Sequence, residues 1–246
     1  MKPLEGRVAL VTGVSRRIGI GFAIASRLAS MGADLFIHSF APYDREQPWG
    51  AVRQVHDAGD PGSTGVILSD LRKHGTRVEH LEADFIDPQA PVQTINAAAE
   101  AFGHVDILIA NHAYSTWQPF LEMSAEDIDR HMAVNVRGSL LLAREFAKQH
   151  DDRPGGRVVL MTSGQHLGPM GREVPYAASK GALHQITVTL SDLLIERGIT
   201  VNTVNPGPTD TGYAGEEEGR QITQRMPQGR WGEPDDAARL IAWLVT

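Results

Sequence analysis

The feature that most constrains the fold of this 246-residue chain is an alternation of short apolar runs with longer amphipathic stretches. The runs are rich in β-branched residues and occupy residues 8–12, 35–38, 77–81, 105–110, 157–162 and 200–204. Helical periodicity is found at residues 18–31, 65–74, 91–102, 125–150, 175–197 and 235–244. Apolar strands separated by helices predict a parallel sheet that is covered on both faces. We therefore expect a single α/β domain, residues 1–246, with a doubly wound sheet in three α/β/α layers and ligands at the carboxyl ends of its strands.

Composition excludes several classes of function. The chain has no cysteine, which rules out a disulfide framework, thiolate zinc sites and cysteine nucleophiles. Its net charge of −7 gives no reason to expect nucleic acid or anionic lipid as a partner, and its ten histidines lack metal-ligand spacing, so no metal is expected. No apolar run reaches the roughly 20 residues that span a bilayer, and the N-terminus does not resemble a signal peptide. We expect a cytoplasmic protein without a membrane segment, whose partner is a small molecule.

A glycine-rich turn follows the first predicted strand and opens the first predicted helix. It reads Thr12-Gly13-Val14-Ser15-Arg16-Arg17-Ile18-Gly19-Ile20-Gly21. Glycine lets the backbone approach a pyrophosphate, and the free amides at the start of a helix favour its negative charge. Such a turn can also be no more than a tight connection, but its position after the first strand favours a dinucleotide site.

A second motif, Tyr176-Ala177-Ala178-Ser179-Lys180, opens the long helix after the fifth predicted strand. Residues four apart share one helix face, so the phenol and the ammonium point into the same space. Ser163 ends the preceding strand and is expected to reach the same point. A Tyr-x-x-x-Lys pair alone is usually a solvated helix face; the serine and the upstream glycine turn favour a catalytic interpretation.

Taken in order, these motifs resemble the classical short-chain dehydrogenases/reductases, and among them the 3-oxoacyl-[acyl-carrier-protein] reductase-like members. The resemblance covers nearly the whole chain and includes the glycine turn, Asp84, Asn111-His112-Ala113-Tyr114, Asn135, Ser163, Tyr176, Lys180 and Asn205-Pro206-Gly207-Pro208-Thr209. It implies a Rossmann fold and an oxidoreductase that acts on CH–OH groups with NAD(P)⁺ as acceptor. The implied substrates are a 3-oxoacyl thioester, a ketone or a sugar alcohol. The alternative is a non-catalytic NADP(H)-binding sensor or partner-binding protein on the same fold.

The resemblance also implies roles for the catalytic set. Tyr176 is the general acid and base, and its pKa, about 10 in a free phenol, is expected to be lowered by the Lys180 cation and the oxidised nicotinamide. Lys180 is expected to bind the nicotinamide ribose, and Ser163 to hold the substrate oxygen. Asn135 is expected to steady a water that relays protons to Lys180. The structural alternatives are a bridge between strand edges for Asn135 and a helix or turn cap for Ser163.

We expect NADP(H) rather than NAD(H) as the cofactor. The second predicted strand ends at His38-Ser39-Phe40 without a carboxylate, and a carboxylate there would repel a 2′-phosphate. Arg16 lies where the family often places a base for this phosphate, although it could also be a surface charge. Asp84 is expected to accept from the adenine amino group, with Phe85 beside the ring. The expected cofactor-binding residues are Gly13, Ser15, Arg16, Ile18, Gly19, Ser39, Asp84, Phe85, Asn111, Ala113, Tyr176, Lys180, Pro206, Gly207 and Thr209.

Several positions depart from the family pattern. Arg17 replaces a usual glycine, and His112 and Tyr114 add bulk after the fourth predicted strand. Either side chain could narrow the entrance to the nicotinamide site, contact substrate or simply pack, and packing is the role expected of Tyr114. The expected substrate-contacting residues are His112, Gln165, His166, Met170 and Tyr213, with Leu167 in the same wall.

Three segments complete the sequence-based description. Residues 41–64, rich in proline and glycine, are predicted to be an inserted surface loop that could include one short helical turn, and residues 212–228 are predicted to be a substrate lid. The chain ends at Thr246, within the last predicted helix, so the family's final strand is expected to be absent. The long helices at 125–150 and 175–197 resemble those through which the family forms homotetramers or dimers, and we expect a homotetramer.

Overall fold

In the computed structural model, which describes residues 2–46 and 63–246, six strands form one parallel sheet. In chain order these are β1 Val8–Val11, β2 Asp34–Ser39, β3 Val78–Glu82, β4 Ile107–Ala110, β5 Gly156–Met161 and β6 Ile199–Val204. Their order across the sheet is β3-β2-β1-β4-β5-β6. The chain builds outward from β1 in one direction and then returns to build outward in the other, so the crevice above β1 and β4 is the place where this fold binds ligands.

Helices cover both faces of this sheet. They are α1 Ile20–Ser30, α2 Ala41–Glu46, α3 Ser63–Arg72, α4 Ala90–Phe102, α5 Ala125–His131, α6 Ser139–Gln149, α7 Val174–Leu194, α8 Glu216–Arg225 and α9 Pro234–Val245. One buried apolar cluster joins the sheet to α1, α3 and α9, and a second joins it to α4, α6 and α7. The predicted doubly wound, three-layer fold is confirmed.

The stretch 125–150, predicted as one helix, is divided by a π-helical segment. Its helical path runs from α5 through the π-helical Met132–Gly138 into α6. The wider turn carries Asn135, whose backbone carbonyl accepts a 2.7 Å hydrogen bond from the Ser139 hydroxyl. Single π-turns inside helices are frequent at functional sites, and this one determines where the Asn135 side chain lies.

The predicted loop 41–64 has helical ends. Residues 47–62 lie outside the described part of the chain, whereas α2 and α3 flank them. Ala41 and Asp44 are 4% and 5% exposed, so α2 packs into the molecule rather than standing out in solvent. Within the predicted lid 212–228, α8 forms. None of the described helices combines the length and the apolar character needed to cross a bilayer.

Candidate active site

A cavity of about 570 Å³ lies at the carboxyl ends of β1, β4, β5 and β6. Its walls are the glycine turn, helix α2, the loops after β4, β5 and β6, and the start of α7. The members of the predicted site that line it are Gly13, Ser15, Arg16, Gly19, Asn111, His112, Ala113, Ser163, Met170, Tyr176, Lys180, Pro206, Gly207, Thr209 and Tyr213. Residues distant in sequence are thus brought to one crevice.

Three members of the predicted catalytic set meet on one wall of this cavity. The Tyr176 phenol is hydrogen-bonded to the hydroxyl of Ser163, which follows β5 in an extended conformation. Lys180, one helical turn after Tyr176, is 1% exposed and its Nζ lies 5.5 Å from the centroid of the Tyr176 ring. Lys180 Nζ donates a 2.9 Å hydrogen bond to the Met161 carbonyl at the end of β5. The phenol, the hydroxyl and the amine therefore share one small volume.

Burial controls the titration of this group. It raises the pKa of Tyr176 to about 12, against the opposing effect of the hydrogen bond from Ser163. It lowers the pKa of Lys180 to about 8. The expectation that the Lys180 cation brings the phenol pKa toward neutrality is therefore corrected for the protein alone, because removal from water is the larger effect.

Asn135 fixes the loop after β4 to helix α7. Its Nδ2 donates to the Tyr114 carbonyl and to the Ser179 hydroxyl, both at 2.9 Å, and its Oδ1 accepts from the Tyr114 amide at 2.7 Å. Ser179 in turn donates to the Tyr176 carbonyl at 2.7 Å. The side chain thus makes a structural bridge, in line with the alternative interpretation, although the bridge joins a loop to a helix rather than two strand edges. The role in a water relay to Lys180 stays a prediction.

Two glycines in the turn are required by close approach. Gly13 has φ +73°, and a Cβ there would lie 2.8 Å from the His112 Cα. A Cβ on Gly21 would lie 2.4 Å from the Gly13 carbonyl oxygen. The Asn111 Nδ2 group donates to the Thr12 and Gly13 carbonyls at 3.0 and 3.2 Å and so ties this turn to β4.

A smaller cavity of about 150 Å³ continues from the large one on the β2 side. The two share Gly13, Ser15, Tyr43, His112 and Ala113, and the smaller one is also lined by His38, Phe40, Ala83, Asp84, Phe85, Tyr114 and Arg130. A chamber on each side of a glycine turn suits the two ends of a dinucleotide, with its pyrophosphate against the turn. The residues present therefore fit a dinucleotide cofactor.

Two predicted cofactor contacts have side chains that point elsewhere. Ser39 is 1% exposed and its hydroxyl is bonded to His80 Nε2 at 2.8 Å, so it is used inside the sheet. Ile18 is 41% exposed and lies outside the lining of both cavities. Asp84 and Phe85 do line the smaller cavity, where Phe85 stacks on the His38 ring at 4.0 Å between centroids.

His112 is held by the protein on both ring nitrogens. Its Nε2 lies 3.1 Å from the Val134 carbonyl and its Nδ1 2.7 Å from the Thr12 hydroxyl. Burial holds the pKa of His112 well below its usual value, so the ring is neutral. A carbonyl only accepts, which assigns the proton to Nε2 and makes the Thr12 hydroxyl the donor to Nδ1. Both ring nitrogens are therefore already used by the protein, and a contact of His112 with substrate stays a prediction.

Thr12 is a site residue that the sequence reasoning missed. Its hydroxyl also accepts from the His112 amide at 3.2 Å and from the Asn111 amide at 3.0 Å. Its position at the end of β1, directly before the first glycine of the turn, was the available signal.

Arg16 does not extend toward the smaller cavity, where the adenosine end of a dinucleotide fits. Its Nε lies 3.2 Å from Asp44 Oδ1 on α2, and its Nη1 donates to the Thr211 carbonyl at 3.0 Å. Asp44 and its neighbour Tyr43 were missed because they lie in the segment predicted to be a surface loop. Both line the large cavity.

The predicted substrate wall is divided. Met170 and Tyr213 line the large cavity, and the Tyr213 ring packs 5.5 Å from that of Trp231. Gln165 instead braces the backbone, because its Oε1 accepts from the Ser163 amide at 3.0 Å. His166 is exposed and stacks on His184, and Leu167 is 76% exposed, so neither belongs to the cavity wall. Trp117, Glu173 and Ile222 line the cavity without having been predicted.

Comparison with known proteins identifies relatives along the whole chain. The family model described as enoyl-(acyl carrier protein) reductase matches residues 13–246. The uncharacterized oxidoreductase YjdA of Bacillus subtilis (strain 168) is 36% identical over 248 residues, which cover 100% of this chain and 92% of that protein.

Two solved structures share both the fold and a substantial fraction of the sequence. A short-chain dehydrogenase/reductase from Serratia marcescens BCRC 10948 has a TM-score of 0.84 and 32% identity, covering 99% of this chain and 91% of that chain. A short-chain dehydrogenase from Burkholderia cenocepacia J2315, in complex with NADP, has a TM-score of 0.83 and 34% identity, covering 98% and 91%.

Proposed function

Because the chain belongs to the short-chain dehydrogenase/reductase family, it is an oxidoreductase of CH–OH groups with a nicotinamide cofactor, and we propose that it uses NADP(H) with Tyr176 as general acid and base. The observation that carries this proposal is the common wall formed by the Tyr176 phenol, the Ser163 hydroxyl and the buried Lys180 amine. The substrate classes are those implied by the family: a 3-oxoacyl thioester, a ketone or a sugar alcohol.

The nicotinamide, when bound, supplies or accepts the hydride. In carbonyl reduction the substrate oxygen gains negative charge and needs a proton as the new C–H bond forms. Tyr176, with its pKa raised to about 12 by burial, holds its proton at neutral pH and donates it to this oxygen. The Ser163 hydroxyl donates to the same oxygen as charge develops there, and in alcohol oxidation the phenolate of Tyr176 takes the proton back.

Lys180 serves this step by position and charge. It is fully surrounded by protein, and with its pKa lowered to about 8 it is a cation next to the phenol at neutral pH. A cation there stabilises the phenolate that forms when the proton leaves. Its Nζ is fixed by the Met161 carbonyl, so little rearrangement accompanies the proton transfer.

The preference for NADP(H) rests on the residues at the carboxyl end of β2. His38, Ser39 and Phe40 provide no carboxylate that would repel a 2′-phosphate. The Burkholderia cenocepacia relative, 34% identical, carries NADP in its structure, which supports the same choice here. We assign the 2′-phosphate to Arg16 of the glycine turn, which has to leave Asp44 to reach it.

Residues 212–228 are proposed to cover the substrate. Tyr213, and Ile222 of α8, contribute side chains to the large cavity. The Trp231 indole Nε1 donates a 2.7 Å hydrogen bond to the Gly219 carbonyl, which attaches α8 to the rest of the domain. A helix that contributes to a substrate cavity is suited to move when substrate enters.

The proposal is tested by Tyr176→Phe in an NADPH-oxidation assay against a panel of carbonyl compounds, with NADP⁺ binding measured by calorimetry. We expect turnover to fall about a hundredfold or more, while NADP⁺ still binds. Tyr213→Phe removes another phenol hydroxyl from the same cavity and is expected to keep most of the turnover. Equal turnover in Tyr176→Phe and the unmodified protein would refute the assignment, and cofactor binding without turnover of any substrate would favour a sensor.

A further inference from the structure

Helix α2 crosses the cofactor crevice. In the sheet, β2 and β4 lie on opposite sides of β1. The Tyr43 hydroxyl of α2, which follows β2, donates to the carbonyl of Ser115, which follows β4, at 2.9 Å and accepts from its amide at 3.1 Å. A contact between the segment after β2 and the segment after β4 has to pass over the carboxyl end of β1, where the glycine turn lines both cavities. Tyr43 lines both, so α2 stands between the two ends of the dinucleotide site.

The second contact of α2 involves Arg16 of the glycine turn. Its Nε is 3.2 Å from the Asp44 carboxylate, and the two side chains are only 18% and 6% exposed. The same guanidinium donates to the Thr211 carbonyl in the loop after β6. Together these contacts hold Arg16 in the wall of the large cavity and out of the lining of the smaller one.

We propose that Asp44 weakens the preference for NADP(H), because its carboxylate competes with the 2′-phosphate of this cofactor for the Arg16 guanidinium. This inference rests on the proposed function, in which Arg16 is the cation for that phosphate. A phosphate and a carboxylate are alternative acceptors for the planar fork of a guanidinium, and the phosphate carries more charge. NAD(H) has a hydroxyl in place of the 2′-phosphate, so its binding does not require Arg16 to leave Asp44.

The competition is costly because the ion pair is buried. When Arg16 turns to the phosphate, the Asp44 carboxylate is left without this partner in a place nearly closed to water, and an uncompensated buried charge is strongly unfavourable. Burial already raises the pKa of Asp44, against the effect of Arg16. The affinity that NADP(H) gains from its 2′-phosphate is therefore reduced by the cost of breaking the ion pair between Arg16 and Asp44. The enzyme then discriminates between the two cofactors less than it would if Arg16 had no such partner.

The test is Asp44→Asn in the full chain, with the Kd of NADP⁺ and of NAD⁺ measured separately by calorimetry. We expect the Kd for NADP⁺ to fall about tenfold and that for NAD⁺ to change by less than about twofold, because only NADP⁺ has to displace the carboxylate. Asp44→Glu keeps the charge and should keep the ratio of the two constants. Tyr43→Phe breaks the bond to Ser115 without changing charge, so it should move both constants together.

Two results would overturn the inference. Weaker NADP⁺ binding in Asp44→Asn would mean that the carboxylate positions Arg16 rather than competing for it. Equal changes for both cofactors would mean that Asp44 serves only to hold α2. Arg16→Gln separates this inference from the proposed function: an unchanged ratio of constants there removes Arg16 from phosphate binding, whereas the role of Tyr176 is judged by turnover alone.

Discussion

Replacing Thr12 by valine should weaken the whole carboxyl end of β1, although the two side chains have nearly the same shape. Thr12 is fully buried, and its hydroxyl is the partner of both the His112 amide and the His112 Nδ1. Valine leaves these two polar groups without a partner. The Asn111 amide loses one acceptor but retains the Ile109 carbonyl at 3.0 Å. The loss is therefore that of two buried groups, both on the residue that approaches Gly13.

Each unpaired buried polar group costs about 1–3 kcal/mol, so Thr12→Val should lower the free energy of unfolding by about 3 kcal/mol. Thr12→Ser keeps the hydroxyl and loses one methyl group, which costs about 1 kcal/mol. For a domain of this size, these values correspond to a decrease in Tm of about 6–12 °C for valine and about 2–4 °C for serine.

The assay is thermal and urea unfolding followed by circular dichroism, with calorimetric NADP⁺ binding on the same samples. We expect the valine variant to bind NADP⁺ more weakly than the serine variant, because the unpaired groups of His112 adjoin the glycine turn. If the two variants melt within about 2 °C of each other, the hydroxyl does not stabilise His112 as the distances indicate, and the reasoning is refuted.

Three further predictions concern the same crevice. Burial lowers the pKa of Lys180 to about 8, so the ammonium loses its proton above that pH and kcat for carbonyl reduction should fall. An active Lys180→Arg variant stays charged, so its kcat should not fall in the same pH range. Identical pH–rate profiles for the two proteins would contradict the assignment. Gly13→Ala should destabilise the protein by at least about 2 kcal/mol more than Gly6→Ala in urea unfolding. Both glycines have positive φ (+73° and +81°), but only at Gly13 would a Cβ lie within 3 Å of backbone atoms. Equal urea midpoints for the two variants would contradict this prediction. Trp231→Phe should raise the KM for the carbonyl substrate several-fold without changing kcat or the Kd for NADP⁺. The variant loses the hydrogen bond to the Gly219 carbonyl but keeps an aromatic ring. An unchanged KM would show that this hydrogen bond does not contribute to substrate binding.

The features that were predictable from sequence depend on short-range order. The alternation of strands and helices is a local periodicity, and it determined the layers and the parallel sheet. The four-residue spacing of Tyr176 and Lys180 places both on one face of α7, and Ser163 directly follows the fifth predicted strand, residues 157–162. These spacings bring the same side chains together in any doubly wound sheet, because the carboxyl ends of its parallel strands lie at one edge.

The features that were not predictable depend on contacts between distant segments. Arg16 was expected at a phosphate because nothing in the sequence indicated that Asp44, 28 positions later in a segment without clear periodicity, would pack against it. Ser39 illustrates a different limit: successive side chains of a strand face opposite sides, so a one-residue difference at the strand end decides whether a hydroxyl faces a cavity or, as here, His80. The raised pKa of Tyr176 in the protein alone was not predictable, because burial cannot be estimated from a motif.

The environment of Tyr114 shows how added bulk after β4 is compatible with the catalytic geometry. Asn135 holds Tyr114 only by its backbone amide and carbonyl, which any residue provides. The ring is directed away from the large cavity and packs on His131 at 4.8 Å and on Tyr43 at 5.5 Å between centroids. The catalytic wall therefore depends on main-chain contacts at this point, and the side chain is free to shape the smaller cavity. Because the same ring packs on Tyr43 of α2, it also supports the helix that carries Asp44. The proposed effect of Asp44 on cofactor preference therefore depends in part on the bulk at position 114.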